Sequence, residues 1–156
     1  VGFRGVTNLT LDPKGRMTFP SRYRERLVDI CHGRLVVTND AFYEPCLRIY
    51  PQSDWEVLQQ QVMALSGRNS VTRKFQEQFV GQAEDCEMDG SGRILVPQLL
   101  RDRVKLEKRL ALVGLGNHFE LWDETLWTER QQVSLAELSN TEEGQETLAE
   151  LAKLPL

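Results

Sequence analysis

Apolar and polar residues alternate over short stretches of this chain and then give way to helical spacing, twice and in the same order. Met17 and Phe19 alternate with Arg16 and Thr18, and Ile94 and Val96 repeat the alternation. This predicts two strands, each with one buried face and an arginine turned away from the core. Residues 6–11 read as a strand leading into the first of these. Asp12-Pro13-Lys14-Gly15 lies between them, with Asp first, Pro second and Gly fourth, as a type I turn prefers. In the second copy, Asp89-Gly90-Ser91-Gly92 keeps the Asp and the final Gly but has glycine in place of proline, so this loop is expected to be the more flexible. Pro20 and Pro97 suit the first turn of a helix, where a missing N–H is harmless. Tyr23 with Leu27, and Leu100 with Val104, stand four apart on one face of a short helix. Residues 35–38, 46–50, 110–113 and 118–122 read as further strands. Each half therefore runs strand, turn, strand, helix, strand, strand.

Between the halves, Ser53 followed by Glu56 fits a capping box, opening a helix with Trp55, Leu58, Val62 and Leu65 as one apolar stripe. A second helix carries Val71, Phe75 and Phe79. Both stripes are expected to be core. After Ser134, the spacing of Leu135, Leu138, Leu148 and Leu151 allows a loose amphipathic helix, while Gly144 and the excess of Glu and Gln fit a frayed tail equally well.

The order of elements repeats because the sequence does. LDPKGRMTFPSRYRERL, from Leu11, returns seventy-seven positions later as MDGSGRILVPQLLRDRV, from Met88. That offset pairs Asp12 with Asp89, Gly15 with Gly92, Arg16 with Arg93, Pro20 with Pro97, Arg24 with Arg101 and Leu27 with Val104. CLRIYPQSDW from Cys46 resembles HFELWDETLW from His118 at an offset of seventy-two, so the second copy is five residues shorter between its blocks. Two copies at this period are too few and too long for a solenoid. At 156 residues and 40% hydrophobic, the chain is expected to close two related halves around one core. A chain that holds one loop twice is expected to bind something repetitive.

The net charge of −4 on its face disfavours a polyanion ligand, since phosphate neutralisation supplies most nonspecific nucleic-acid affinity. Its distribution changes the picture. Residues 1–50 carry eight Lys/Arg against five acids, net +3, whereas residues 120–156 carry nine acids against two bases, net −7. A chain segregated in this way can turn a positive face to a polyanion while its acidic end points elsewhere. The cysteines Cys31, Cys46 and Cys86 are odd in number and widely spaced, which speaks for buried thiols rather than a disulfide framework or a zinc site. No run reaches the roughly 18 apolar residues of a membrane span and no signal-peptide stretch opens the chain, so a soluble, intracellular protein is expected. Val1 and Gly2, standing in place of an initiator Met, read as processing or an added remnant and stay outside the fold reading.

Candidate chemistry concentrates in the twin Asp-x-x-Gly-Arg loops. An Arg just after a tight turn projects a planar fork of donors, and the Asp four residues before it can hold that fork in one orientation. Such an Arg suits the O6 and N7 of guanine in the major groove. A purely local turn brace, worth roughly 0–1 kcal/mol, would not need Pro20 and Arg24 reproduced in register around it. Lys14 and Arg4 have no basic counterpart in the second copy, where Ser91 and Gly81 stand, so the first loop is expected to make more phosphate contacts. Arg22, Arg24 and Arg26 read as the solvated polar face of their helix, with a phosphate role as the alternative. His32 and His118 lack the spacing of a metal or nucleophile site. Asp85, Glu87 and Asp89 could line one strand face and recruit Mg²⁺, but an exposed edge explains them without partner ligands. No phosphate loop of Walker or dinucleotide type occurs, and no enzyme or cofactor is expected.

From Phe3-Arg4-Gly5 through both loops to Phe119-Glu120-Leu121-Trp122-Asp123, the chain resembles the MraZ family of bacterial transcription regulators. The pair Asp12-Pro13-Lys14-Gly15-Arg16 and Asp89-Gly90-Ser91-Gly92-Arg93 looks like that family's twin DxxxR motif. The resemblance implies an α+β fold, a pseudo-two-fold swapped β-barrel built from two SpoVT-AbrB type halves with flanking helices. The division that follows is residues 3–52 for the first repeat, 53–80 for linking helices, 81–124 for the second repeat and 125–156 for a C-terminal helix and acidic tail. It further implies a cytoplasmic, nucleoid-associated repressor, acting as a ring-shaped homo-oligomer on short direct repeats of double-stranded DNA. The resemblance places those repeats upstream of a division and cell-wall gene cluster that includes the family member's own gene. The DNA-binding residues implied are Arg16, Arg93, Asp12, Asp89, Lys14, Arg4, Gly15 and Gly92. The other reading is an antitoxin-like protein-interaction module whose acidic tail docks a partner.

Overall fold

The computed structural model describes residues 2–42 and 44–156, so the expectation about Val1 lies outside it. Eight strands and seven helices are found among them, in a mixed α+β arrangement. The strands are β1 (Phe3–Thr10), β2 (Arg16–Thr18), β3 (Arg34–Asn39), β4 (Leu47–Pro51), β5 (Glu84–Glu87), β6 (Arg93–Leu95), β7 (Arg109–Gly116) and β8 (Phe119–Asp123). The helices are α1 (Ser21–Cys31), α2 (Gln52–Met63), α3 (Ser70–Phe79), α4 (Gln98–Arg103), α5 (Glu124–Gln132), α6 (Leu135–Leu138) and α7 (Glu142–Leu151). The chain forms two compact units, one ending at Glu124 and the other running Thr125–Leu156.

In the first unit, six strands pair antiparallel in the order β1-β7-β8-β4-β3-β5, and β2 pairs with β6 in a separate ribbon. The first strand of each repeat pairs with a strand of the other: β1 lies beside β7, from Phe3 opposite Gly116 to Thr10 opposite Arg109, and β5 lies beside β3. The expected closed barrel is not found among the described residues. The six-stranded ladder ends at β1 and β5, because the three-residue strands that follow the turns pair with each other instead of closing the gap.

The centre of β3 carries three consecutive apolar residues, Leu35, Val36 and Val37, because both its faces are covered. Leu35 and Val37 enter the main core with Leu47, Ile49, Leu110, Leu112, Phe119 and Leu121, whereas Val36 faces a second cluster with Tyr50, Trp55, Val62 and Phe79. Met17, Phe19, Ile94 and Val96 from the two repeats meet in the main core. Phe119 packs on Phe3, Phe19 and Tyr23 with ring centroids 4.4, 5.4 and 5.0 Å away.

Several local expectations are corrected. Pro20, Pro51 and Pro97 occupy the N-cap positions of α1, α2 and α4. Because Pro51 starts α2 at Gln52, Ser53 falls inside the first turn and the capping box with Glu56 does not form. Leu65 lies beyond α2 and Val71 is exposed on α3, so neither joins the core stripe, while Trp55, Val62 and Phe79 do. The acidic end is helical in this structure: Ser134 Oγ accepts the Glu137 N–H and Thr141 Oγ1 the Gly144 N–H, capping α6 and α7. No helix among the described residues is long and apolar enough to cross a membrane.

Candidate nucleic-acid interface

The two DxxxR loops close with the same hydrogen bonds. In the first, Gly15 N–H donates to the Asp12 carbonyl at 2.9 Å and Asp12 N–H to that of Arg16 at 2.9 Å; in the second, Gly92 donates to Asp89 at 3.0 Å and Asp89 to Arg93 at 2.9 Å. The side chain of Asp12 divides its work. Its Oδ1 accepts the N–H groups of Lys14 and Arg16, each at 2.9 Å, and its Oδ2 accepts Arg16 Nε at 2.7 Å. Asp89 treats Ser91 and Arg93 in the same way, with all three bonds at 2.9 Å. The backbone N–H of the arginine, followed by its side chain, holds each carboxyl below the usual carboxylate range against the opposing effect of burial. Substituting glycine for proline in the second loop leaves this bonding unchanged.

Gly15 and Gly92 stand at φ +86° and +78°, the left-handed region that a side chain strains. Both are buried, although the sequence suggested a place at the DNA surface. Space explains why. A Cβ on Gly15 would lie 2.6 Å from the guanidinium of Arg101, and one on Gly92 would lie 2.5 Å from Arg24. Arg24 Nε in turn donates to the Phe19 carbonyl at 2.6 Å and Arg101 Nε to that of Val96 at 2.9 Å. Arg24 is therefore not the solvated helix residue its spacing suggested. The signal was its repetition as Arg101, in register with the repetition of Gly15 as Gly92.

The β2–β6 ribbon brings the two loops together. Arg16 pairs with Leu95, Met17 with Ile94 and Thr18 with Arg93. Met17 and Ile94 are buried, so Arg16, Thr18, Arg93 and Leu95 share the outward face. Arg16 and Arg93 stand on a diagonal of that pairing, with Cα atoms about 7–8 Å apart. Each arginine has its Nε tied to an aspartate, and among the described residues neither terminal Nη pair makes a hydrogen bond. What remains outward is the end of the fork, two parallel donors held in a fixed plane. That is the shape required for an acceptor pair such as guanine O6 and N7, or two phosphate oxygens. Leu95, more than half exposed, stands beside Arg16 on this face and was not among the expected residues.

Lys14 sits exposed at the first loop. Arg4 does not join it, because six residue steps along β1, about 20 Å of extended strand, separate Arg4 from Thr10. It lies instead near Arg22, Tyr23 and Arg26. The Arg22 guanidinium is 4.7 Å from the Tyr23 ring centre and donates to Thr7 Oγ1, while Arg26 is 5.4 Å from Phe3 and donates to the Gly2 carbonyl at 2.9 Å. These two hold their strand as well as exposing charge.

The remaining candidates are structural in placement. Asp85 and Glu87 are exposed on β5, which pairs with β3 alone. Asp40, Cys46 and Glu120 approach one another closely. The Asp40 carboxylate is already taken by Arg48 Nε at 3.0 Å and by the N–H groups of Phe42 and Glu44, and Glu120 accepts Trp122 Nε1 at 2.9 Å. His118 stacks on Tyr50 at 5.2 Å, and burial together with the nearby charge of Arg48 lowers its pKa to about 4.

Fold and site together define a two-repeat α+β protein that presents a matched pair of arginine hairpins on one ribbon. Both repeats match the family model described as "MraZ protein, putative antitoxin-like", over residues 3–78 and 79–151. The chain belongs to the MraZ family. It is similar to the transcriptional regulator MraZ of Thioalkalivibrio sulfidiphilus, 49% identical over 96% of this chain and 99% of that protein. It is also similar to those of Alkalilimnicola ehrlichii, 51% identical over 80% and 83%, and Nitrosococcus oceani, 45% identical over 96% and 99%.

Proposed function

We propose that this protein is a sequence-specific DNA-binding transcription regulator that reads guanine-bearing base edges with Arg16 and Arg93. The observation that carries the reading is the shared outward face of the β2–β6 ribbon, where both forks are fixed by Asp12 and Asp89 and end in unengaged donors. Fixing a fork before contact removes ordering cost at the moment of binding. A spacing of about 7–8 Å suits bases two steps apart at 3.4 Å per step along one strand. Gly15 and Gly92 shape the loops from beneath, Lys14 contacts phosphate beside the first loop, and Arg4 contacts phosphate from the far end of β1.

One protomer offers few contacts. A ring of protomers that engages short direct repeats in succession would raise affinity through effective concentration, by about 10²–10⁴. We assign the operator to the region upstream of the division and cell-wall cluster that includes its own gene, with repression by occupancy of the promoter in the nucleoid. The relatives' names as transcriptional regulators support the class of function. The test is fluorescence anisotropy on the upstream region with a salt titration. Arg16→Ala is expected to lose both affinity and sequence preference, and equal binding by wild type and Arg16→Ala would overturn the assignment.

A further inference from the structure

We infer that Arg24 and Arg101 are crossed positioning residues, each holding the reading arginine of the opposite repeat. The inference rests on the DNA-reading role proposed for Arg16 and Arg93 and goes beyond it. Arg24 belongs to the first repeat, yet its side chain covers Gly92 of the second, and Arg101 of the second covers Gly15 of the first. A backbone bond follows the same crossing: Phe19 N–H donates to the Gly92 carbonyl at 2.8 Å, and Val96 N–H to that of Gly15 at 2.9 Å. Arg24 and Arg101 close the circuit by donating Nε to the Phe19 and Val96 carbonyls, at 2.6 and 2.9 Å.

Each loop is thus gripped at its glycine, directly by one arginine and, through the backbone of one intervening residue (Phe19 or Val96), by the same arginine. The glycine immediately precedes the reading residue. Loosening it frees the backbone N–H of Arg93 or Arg16 from its aspartate and lets the fork swing. Both clamps are part-buried against the protein, which distinguishes them from phosphate contacts. They act through Gly15 and Gly92 and not on a base. The crossing gives each hairpin its own clamp, supplied by the opposite repeat, so neither loop is held by its own repeat alone.

The crossing also makes the test specific. Amide exchange in the full-length protein is expected to rise over residues 89–93, and not 12–16, in Arg24→Ala, and over 12–16, and not 89–93, in Arg101→Ala. Binding to the upstream DNA is expected to fall by between about 5-fold and 150-fold, the range for losing one bidentate contact. Arg24→Ala is expected to add nothing to Arg93→Ala but to add its full loss to Arg16→Ala. Damage to folding alone would move both pairs equally. Should Arg24→Ala fail to fold, Arg24→Met keeps the apolar stem over Gly92 without the donor, and the same crossed exchange is expected at smaller size. Unchanged exchange at 89–93 in a folded Arg24 variant, or loosening of both loops together, overturns the clamp whatever the DNA does. Wild-type binding by both Arg16→Ala and Arg93→Ala would instead remove the reading role, and crossed exchange would then still establish the clamp.

Discussion

The hairpin of Asp12 and the hairpin of Asp89 share every hydrogen bond that shapes them and differ in what surrounds them. The first has a proline at the second turn position, Lys14 at its tip and Leu95 beside its arginine; the second has Gly90, Ser91 and Thr18. Identical internal bonding across such different tips means that the carboxylate and the left-handed glycine determine the loop's shape, and the two variable positions do not. Those positions are free to tune charge and stiffness. The two copies therefore act as one geometry presented with two electrostatic settings.

The largest effects should come from attacking what the loops share. Gly15→Val and Gly92→Val each force a side chain into the left-handed region, at about 1–3 kcal/mol, and against an arginine 2.5–2.6 Å away. Urea unfolding is expected to show similar losses for both. A loss at Gly15 alone would break the equivalence of the loops. Arg16→Ala and Arg93→Ala come next, each expected to cost about 1–3 kcal/mol of base discrimination in binding to permuted operator sequences. Discrimination lost from only one of the two would show that the copies have diverged in function.

A subtler difference lies just before the paired strands β4 and β8, where Cys46 in one copy corresponds to His118 in the other. Burial drives the Cys46 thiol far above neutrality, so it does not titrate there, whereas His118 is held down to about 4. In the unfolded chain a histidine takes up its proton near 6.5. Between these values the unfolded state binds more protons, so stability is full above pH 6.5 and falls as the pH drops toward 4. The loss should be about 1 kcal/mol, allowing for a ring that is only partly buried. His118→Phe is expected to flatten thermal stability over that window. Asp12, Asp40 and Asp89, whose carboxyls are all lowered from 3.8, contribute stability that is lost only below about that value, beneath the histidine window. The smallest effect separates the tips: Lys14→Ala should reduce the salt slope of DNA binding by about 1, with Ser91→Ala leaving it unchanged.

Local pattern was enough to place the strands around Met17, Ile94, Leu35 and Leu110, because period-two alternation or an unbroken apolar run records burial directly. It also placed Asp12 and Asp89 against their own arginines, a contact made within four residues. It misplaced Ser53 and Glu56, since Pro51 moved the start of the helix by its own geometry. It gave Leu65 and Val71 to the core, since spacing along a helix does not say where the helix stops or which turns meet a partner. Arg24 was read as a solvated residue because the surface it covers belongs to a loop sixty-eight positions away.

The sequence by itself determined that the molecule has two matched halves, that each offers an arginine behind a tight turn, and that the acid before the turn holds that arginine. These follow from bonds made within a few residues and from a duplication visible as text. Only the tertiary structure decided that the two arginines share a face, that β2 and β6 pair with each other and leave the larger sheet unclosed, and that each half grips the other's glycine. Strand pairing and side-chain cover over long separations depend on which surfaces exclude water together, and no single segment carries that information.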